Sequence, residues 1–397
     1  MIYNKSMKAL IFSKNFWQKF SLILGSLIFS LILVEVILRI FWPPSIITDP
    51  YLGWRGNGKG FDINGFRNEQ VLTQADIAVM GDSMTYGAGS EINQAWPQVL
   101  AKISQKSVYQ MALGGYGTVQ YDYLLDQAFK MQAKTIIFGF FIGNDFYDVL
   151  RTAYTNPHWQ QLRNSNYAFK DFVTPAEAEE LNGLMVHNQE NYLIKWIKQE
   201  TNWLTSRLYL SRFISVLIST LSNQKNTGDR SISDSKVLSY LNEHPGAGYM
   251  YTSSPQETFL IPTYSLINLT DNDLVEATRI NNNLFLESNN KVKQNEASLI
   301  IAIIPTKELV YASALLRQGQ VLPQLLSDIY AKENGVLENT QKFCSDNNLS
   351  CIFMLEPLVE KFIQGQVIYH NSIDGHPNTQ GFKIIAQAIA NYLNSQK

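Results

Sequence analysis

The chain has 397 residues, of which 45% are hydrophobic, 12% aromatic and 17% charged, and 32 basic against 34 acidic side chains leave a formal net charge of -2. This balance excludes a disordered chain, and it excludes a binder that grips nucleic acid through a concentrated basic face, so no nucleic-acid partner is expected. Two cysteines cannot build a disulfide-dense scaffold or a four-thiolate zinc site, and the length predicts two or three structural units.

Residues 1 to 19 form a flank that carries Lys5, Lys8, Lys14 and Lys19 and no acid. Residues 20 to 42, FSLILGSLIFSLILVEVILRIFW, contain only Glu35 and Arg39 as charges. About 20 helical residues cross a hydrocarbon layer of roughly 30 Å, so this stretch predicts a transmembrane helix in contact with the lipid bilayer. Glu35 and Arg39 are spaced to pair on one helix face, Phe41 and Trp42 suit an aromatic belt, and Pro43 and Pro44 end the helix. A cleavable signal peptide would need a small-x-small site, which VEVILRIFWPP lacks, and a buried core helix would be shorter and less uniformly apolar; a retained anchor is the expectation. The basic flank places the N-terminus in the cytoplasm and the rest of the chain outside it, in a periplasm or its equivalent.

Residues 43 to 70 read as an irregular or short-stranded lead-in rich in Gly and aromatics, with a turn at Asn64 and Gly65. From 71 to 150 short apolar strands alternate with helices: a strand at 75 to 80 runs into GDSMTYGAG, a helical pattern places Trp96, Val99, Leu100 and Ile103 on one face, and a strand at 108 to 113 runs into GGYGT. A helix over about 120 to 132 then leads to TIIFGFFIGND. Such alternation with Gly-rich strand ends predicts an α/β fold with a parallel sheet. The rhythm stops over 151 to 294, read as a largely helical inserted cap with an apolar helix at 208 to 221, a polar run and a Pro, Gly and Tyr-rich loop. It resumes from 295 to 397 with a strand at 298 to 304, a helix near 323 to 344, a strand at CIFMLEP and a last helix carrying Phe382, Ile385, Ile389 and Tyr392 on one face. Cys344 and Cys351, with six residues between them, would lie in an oxidising compartment as a local disulfide or as two unrelated thiols.

Ser83, in GDS at 81 to 83, follows an apolar strand and precedes a helix, where open α/β sheets bind their ligands and where its own amide faces a developing oxyanion. A serine nucleophile needs a base within hydrogen-bond reach. Of the five histidines, His158, His187 and His244 fall in the insertion, which leaves His370 and His376. His376 sits in DGHPN just before the last helix, with Asp374 two residues upstream to orient it and Asn378 as an N-cap. Gly115 can bring a backbone N–H close to an oxyanion, and Asn144 offers a side-chain amide.

In this order, GDSMTYG at 81 to 87, LGGYGT at 113 to 118, IGND at 142 to 145 and DGHPN at 374 to 378 resemble the four blocks of the SGNH (GDSL) hydrolase superfamily, and LGWRGNGKGFDINGFR with the Glu35 and Arg39 pair looks like its membrane-anchored bacterial members. The resemblance covers the sheet-forming parts, 71 to 150 and 295 to 397. It implies a flavodoxin-like three-layer sandwich around a mostly parallel sheet of about five strands. It makes Ser83 the nucleophile, His376 the general base, Asp374 its orienting acid, and Ser83, Gly115 and Asn144 the oxyanion donors, with no metal or organic cofactor. Two positions depart from the family pattern: one residue rather than two separates Asp374 from His376, and Gln110 and Ala112 replace the usual Asn and Gly of the glycine block. The implied activity is that of a serine esterase that cleaves an ester-linked acyl group, for instance acetyl, or transfers it to a sugar hydroxyl, on a glycan or lipid substrate. A non-catalytic module of the same fold, binding a glycan or membrane partner, is the second reading.

Overall fold

The computed structural model describes residues 14–41, 45–170, 249–253, 256–260, 265–370 and 374–396. It divides into two compact units, Met1–Pro44 with Met185–Arg230, and Ser45–Leu184 with Ser231–Lys397. The described part of the first is helix α1 (Lys14–Phe41). Its stretch Trp17–Ile37 has a mean hydropathy of 2.5 and is the one helix among the described residues long and apolar enough to cross a membrane. Two polar side chains within it are satisfied inside the helix, Ser21 and Ser26 donating to the carbonyls of Gln18 and Ile23 at 3.0 and 2.9 Å. An internal partner for every polar group is what hydrocarbon demands. The Arg39 side chain and the end of the span at Trp42, Pro43 and Pro44 lie outside the described residues.

The second unit opens, within the lead-in, with a hairpin of β1 (Ile46–Asp49) and β2 (Gly53–Gly56). Strand β3 (Ile77–Gly81), the short helix α2 (Ser83–Tyr86), α3 (Trp96–Ser104) and β4 (Val108–Ala112) follow. The single helix expected over 120 to 132 is two, α4 (Thr118–Tyr123) and α5 (Leu125–Lys130), meeting at Leu124. Next come β5 (Thr135–Phe141) and α6 (Asp145–Thr155). Residues 171–248 lie outside the described residues, and with them the apolar helix expected at 208 to 221 and the polar run. The stretch read as a Pro, Gly and Tyr-rich loop contains an antiparallel hairpin, β6 (Tyr249–Ser253) and β7 (Gln256–Leu260).

Helix α7 (Asp271–Gln294), β8 (Ser298–Ile304), α8 (Lys307–Arg317), α9 (Gln324–Asp346), β9 (Ser350–Phe353), α10 (Leu355–Ile363) and α11 (Thr379–Ser395) complete the unit. Five strands form one sheet in the order β4-β3-β5-β8-β9, every pair parallel. By first appearance within that sheet the order is 2-1-3-4-5, the flavodoxin-like winding, in which the chain reverses direction across the sheet beside β3. Alternate side chains serve opposite layers. Ala78, Met80, Ile136, Phe138, Ile301 and Ile303 join the core under α4 to α7, whereas Ile77, Val79, Ile137, Ile300 and Ala302 join the core under α3, α8, α10 and α11. Burial on both faces is why these strands are continuous apolar runs.

Two boundaries differ from the sequence reading. Helix α7, placed in the inserted cap, packs on the sheet through Ala277, Ile280, Leu284, Phe285 and Val292, and the buried Glu276, Asn281 and Ser288 interrupt its apolar stripe. CIFMLEP is strand only to Phe353; Pro357 falls in the first turn of α10, where the missing N–H costs nothing. Cys344 at the end of α9 and Cys351 in β9 are joined as a disulfide, their Cα atoms 6.2 Å apart.

Candidate active site

The sheet register brings three strand ends level. Gly81 of β3 stands opposite Ala112 of β4 and Gly139 of β5, so Ser83, the Gly114 and Gly115 pair and Asn144 each follow just beyond one strand end. The tight turn into α2 depends on Gly81, because a Cβ there would lie 2.0 Å from Thr85 Oγ1. Asp82 caps α2, its Oδ1 accepting from the Met84 amide at 2.9 Å.

His376 arrives from the other end of the chain. Its Nε2 lies 2.9 Å from Ser83 Oγ, while Asp82 Oδ2 stands farther off at 3.5 Å. The other ring nitrogen, Nδ1, lies 2.6 Å from Asp374 Oδ1, and the His376 amide donates to the same oxygen at 3.0 Å. Both bonds fall inside one short loop, so the single intervening residue Gly375 permits the contact that the departure from the family spacing put in question. Burial alone would raise the Asp374 carboxyl, but the hydrogen bonds from His376 and the neighbouring imidazole outweigh it and hold the group below its usual value. Asn378 then caps α11, accepting from the amides of Gln380 and Gly381 at 2.9 and 3.0 Å, and α11 packs on α3. His370 also lies near Asp374 and helps to lower it. Of the remaining histidines, His158 stacks on Tyr51 with ring centroids 4.5 Å apart, and His187 and His244 fall outside the described residues.

Asn144 stands at the N-terminus of α6, where its side chain helps to lower the carboxyl of the buried Asp82. An amide NH2 has donors to offer an oxyanion. Burial pushes Asp82 up to about 6, against the Met84 amide and the His376 charge. Gly115 adopts φ +75°, and a Cβ at Gly114 would stand 3.7 Å from Ser83 Cβ, which puts the glycine loop alongside the serine.

Four further residues, none of them a site candidate in the sequence, brace these loops. Trp54 Nε1 donates to Gly114 O at 3.2 Å, and Arg151 Nη2 donates to Gly115 O at 3.0 Å. The Arg67 guanidinium donates to the carbonyls of Tyr86 and Gly87 at 3.0 and 2.8 Å, closing the loop after the serine. Lys307, buried at the start of α8, reaches the carbonyls of His370 and Asp374 at 3.3 and 3.4 Å, on either side of the segment that leads to His376. Burial pulls its ammonium down, against the charges of Glu308 and Asp374. Lys307 alone had a usable positional signal: it follows the fourth strand end as Ser83, Gly115 and Asn144 follow the first three. Among the described residues no group of three or more His, Cys, Asp or Glu is arranged to hold a metal ion.

The sequence matches no known family profile and no curated protein. Among solved structures, one described as that of "a putative lipolytic protein of G-D-S-L family from Desulfitobacterium hafniense DCB-2" is similar over 79% of this chain and 97% of its own, at 11% identity and a TM-score of 0.35. At that identity and score no function is inherited from it.

Proposed function

We propose that the protein is a membrane-anchored, extracytoplasmic serine esterase of the SGNH (GDSL) type. What supports this reading above all is the chain of contacts from Asp374 to His376 to Ser83, at 2.6 and 2.9 Å, between residues that lie 293 positions apart at its longest link. Ser83 Oγ adds to an ester carbonyl carbon and passes its proton to His376 Nε2, and the Asp374 carboxylate faces the imidazolium so formed. The negative charge on the former carbonyl oxygen meets the N–H of Ser83, the N–H of Gly115 and the Asn144 amide. His376 returns the proton to the departing alkoxide, which leaves the acyl group on Ser83. Water, deprotonated by the same imidazole, then releases a carboxylic acid, or a sugar hydroxyl takes the acyl group in its place. The span in α1, the lysines of the flank at 1 to 19 and the disulfide favour a site outside the cytoplasm.

The test is labelling of the full-length chain in detergent with a fluorophosphonate, which reacts with activated serines. Labelling is expected in the wild type, absent in Ser83→Ala and strongly reduced in His376→Ala. A folded wild type that takes no label overturns the enzyme reading and leaves a non-catalytic module.

A further inference from the structure

Resting on the esterase reading, we propose that Trp54 and Arg151 are positioning residues that hold the Gly114–Gly115 peptide in the one orientation that turns its N–H into the oxyanion site. Residues Leu113 to Tyr116 form a turn closed by the Tyr116 amide donating to Leu113 O at 3.1 Å, with Gly115 at φ +75° in its third position. Turns of types I and II differ by the flip of their central peptide, and that peptide here joins two glycines, which tolerate either form. The glycine loop therefore does not choose its own orientation. Its neighbours choose it.

In a trans peptide the carbonyl and the N–H point opposite ways, so anchoring Gly114 O from one side sends the Gly115 N–H to the other. Trp54 Nε1 supplies that anchor at 3.2 Å, and Arg151 Nη2 holds the next carbonyl, that of Gly115, at 3.0 Å. The two anchors are tied to each other and to the fold. The Arg151 guanidinium lies over the Trp54 ring, 5.2 Å from its centroid, and pairs with the buried Asp148 carboxylate at 2.7 Å. The Trp54 carbonyl in turn accepts from the hydroxyl of the fully buried Tyr116, one residue beyond the pair. The hairpin at the start of the second unit thereby gains a purpose, since β2 carries Trp54 to the glycine loop.

The experiment compares full-length wild type, Trp54→Phe, which keeps a ring under the guanidinium but has no donor, and Arg151→Lys, which keeps the charge but loses the planar fork, on p-nitrophenyl acetate. The expected result is a kcat lowered roughly tenfold in each, a part of the roughly 10² to 10³ that deleting a whole oxyanion donor costs, with KM little changed. Affinity for a phenylboronic acid, whose tetrahedral adduct on Ser83 Oγ carries an oxygen in the oxyanion position, is expected to fall by the same factor. Merely loosened packing would not couple these two readouts. Unchanged kcat and boronate affinity in folded variants, or a loss confined to KM, overturns the assignment while the esterase reading stands. A folded wild type that neither labels with fluorophosphonate nor turns over overturns both. The variants alter different elements, β2 and α6, so a cooperative melt in either one suffices for the comparison.

Discussion

Asn144 illustrates how much of the candidate site a single residue type can announce. A side-chain amide directly after an apolar strand is legible because oxyanion chemistry needs a donor there, and the same logic identifies Ser83 and His376. For Asn144→Ala the expected outcome is a roughly 10² to 10³ loss of turnover with the thermal midpoint nearly unchanged, checked by steady-state kinetics beside a melt. Near wild-type turnover would remove Asn144 from the site. The bracing roles of Trp54, Arg67 and Arg151 were not legible, that of Lys307 only by its place after a strand end, and the reason is physical. Each acts on backbone carbonyls. Every sequence supplies carbonyls, so nothing in the residues they hold marks the need for a partner.

Among the elements, strands buried on both faces are plain in the sequence and helices with mixed faces less so. The run SLIIAII forms β8 with the bounds expected for it, whereas α7 reads as cap because Asn281 and Ser288 stand inside its buried stripe. Those polar residues have tertiary partners, Thr118 donating to the Asn281 side-chain oxygen and Ser288 donating to Asp122, that a local pattern cannot display. A titrating example lies between α8 and α9. Glu333 of α9 is buried and accepts from the Thr306 hydroxyl that caps α8. Burial, with the charge of Glu308, raises its carboxyl well above the usual 4.5, against the Thr306 hydrogen bond. The folded chain thus binds this proton more tightly than the unfolded one. Its contribution to stability is full below the unfolded value and is lost as pH rises through the folded one. Glu333→Gln keeps an acceptor for Thr306 and cannot ionise. Its thermal midpoint should exceed that of the wild type at about pH 8 and converge with it near pH 4, below the usual Glu range. A midpoint below the wild type at the higher pH would show that the carboxylate is accommodated as an anion.

For the whole molecule, the sheet-forming halves and the apolar N-terminal segment can be read from pattern alone, since each depends on a local period or a local composition. The bulk of the insertion cannot, because neither a repeat nor a motif marks what it packs on. The lysines of the N-terminal flank bear on topology, and they predict that a phosphatase reporter fused after residue 60, active only outside the cytoplasm, will be active in cells. Activity instead from a cytoplasm-dependent reporter at the same position would overturn the extracytoplasmic assignment.

The 293 positions between Ser83 and His376 also impose an order of events in time. During synthesis Ser83 is made before His376, which follows every strand of the sheet. On the proposed reading, Ser83 stays an ordinary alcohol until α11 docks on α3 and carries the Asn378 cap and its preceding loop into place. A chain in which α11 has yet to dock therefore holds no competent nucleophile on that reading, and the docking of this helix acts as the arming step.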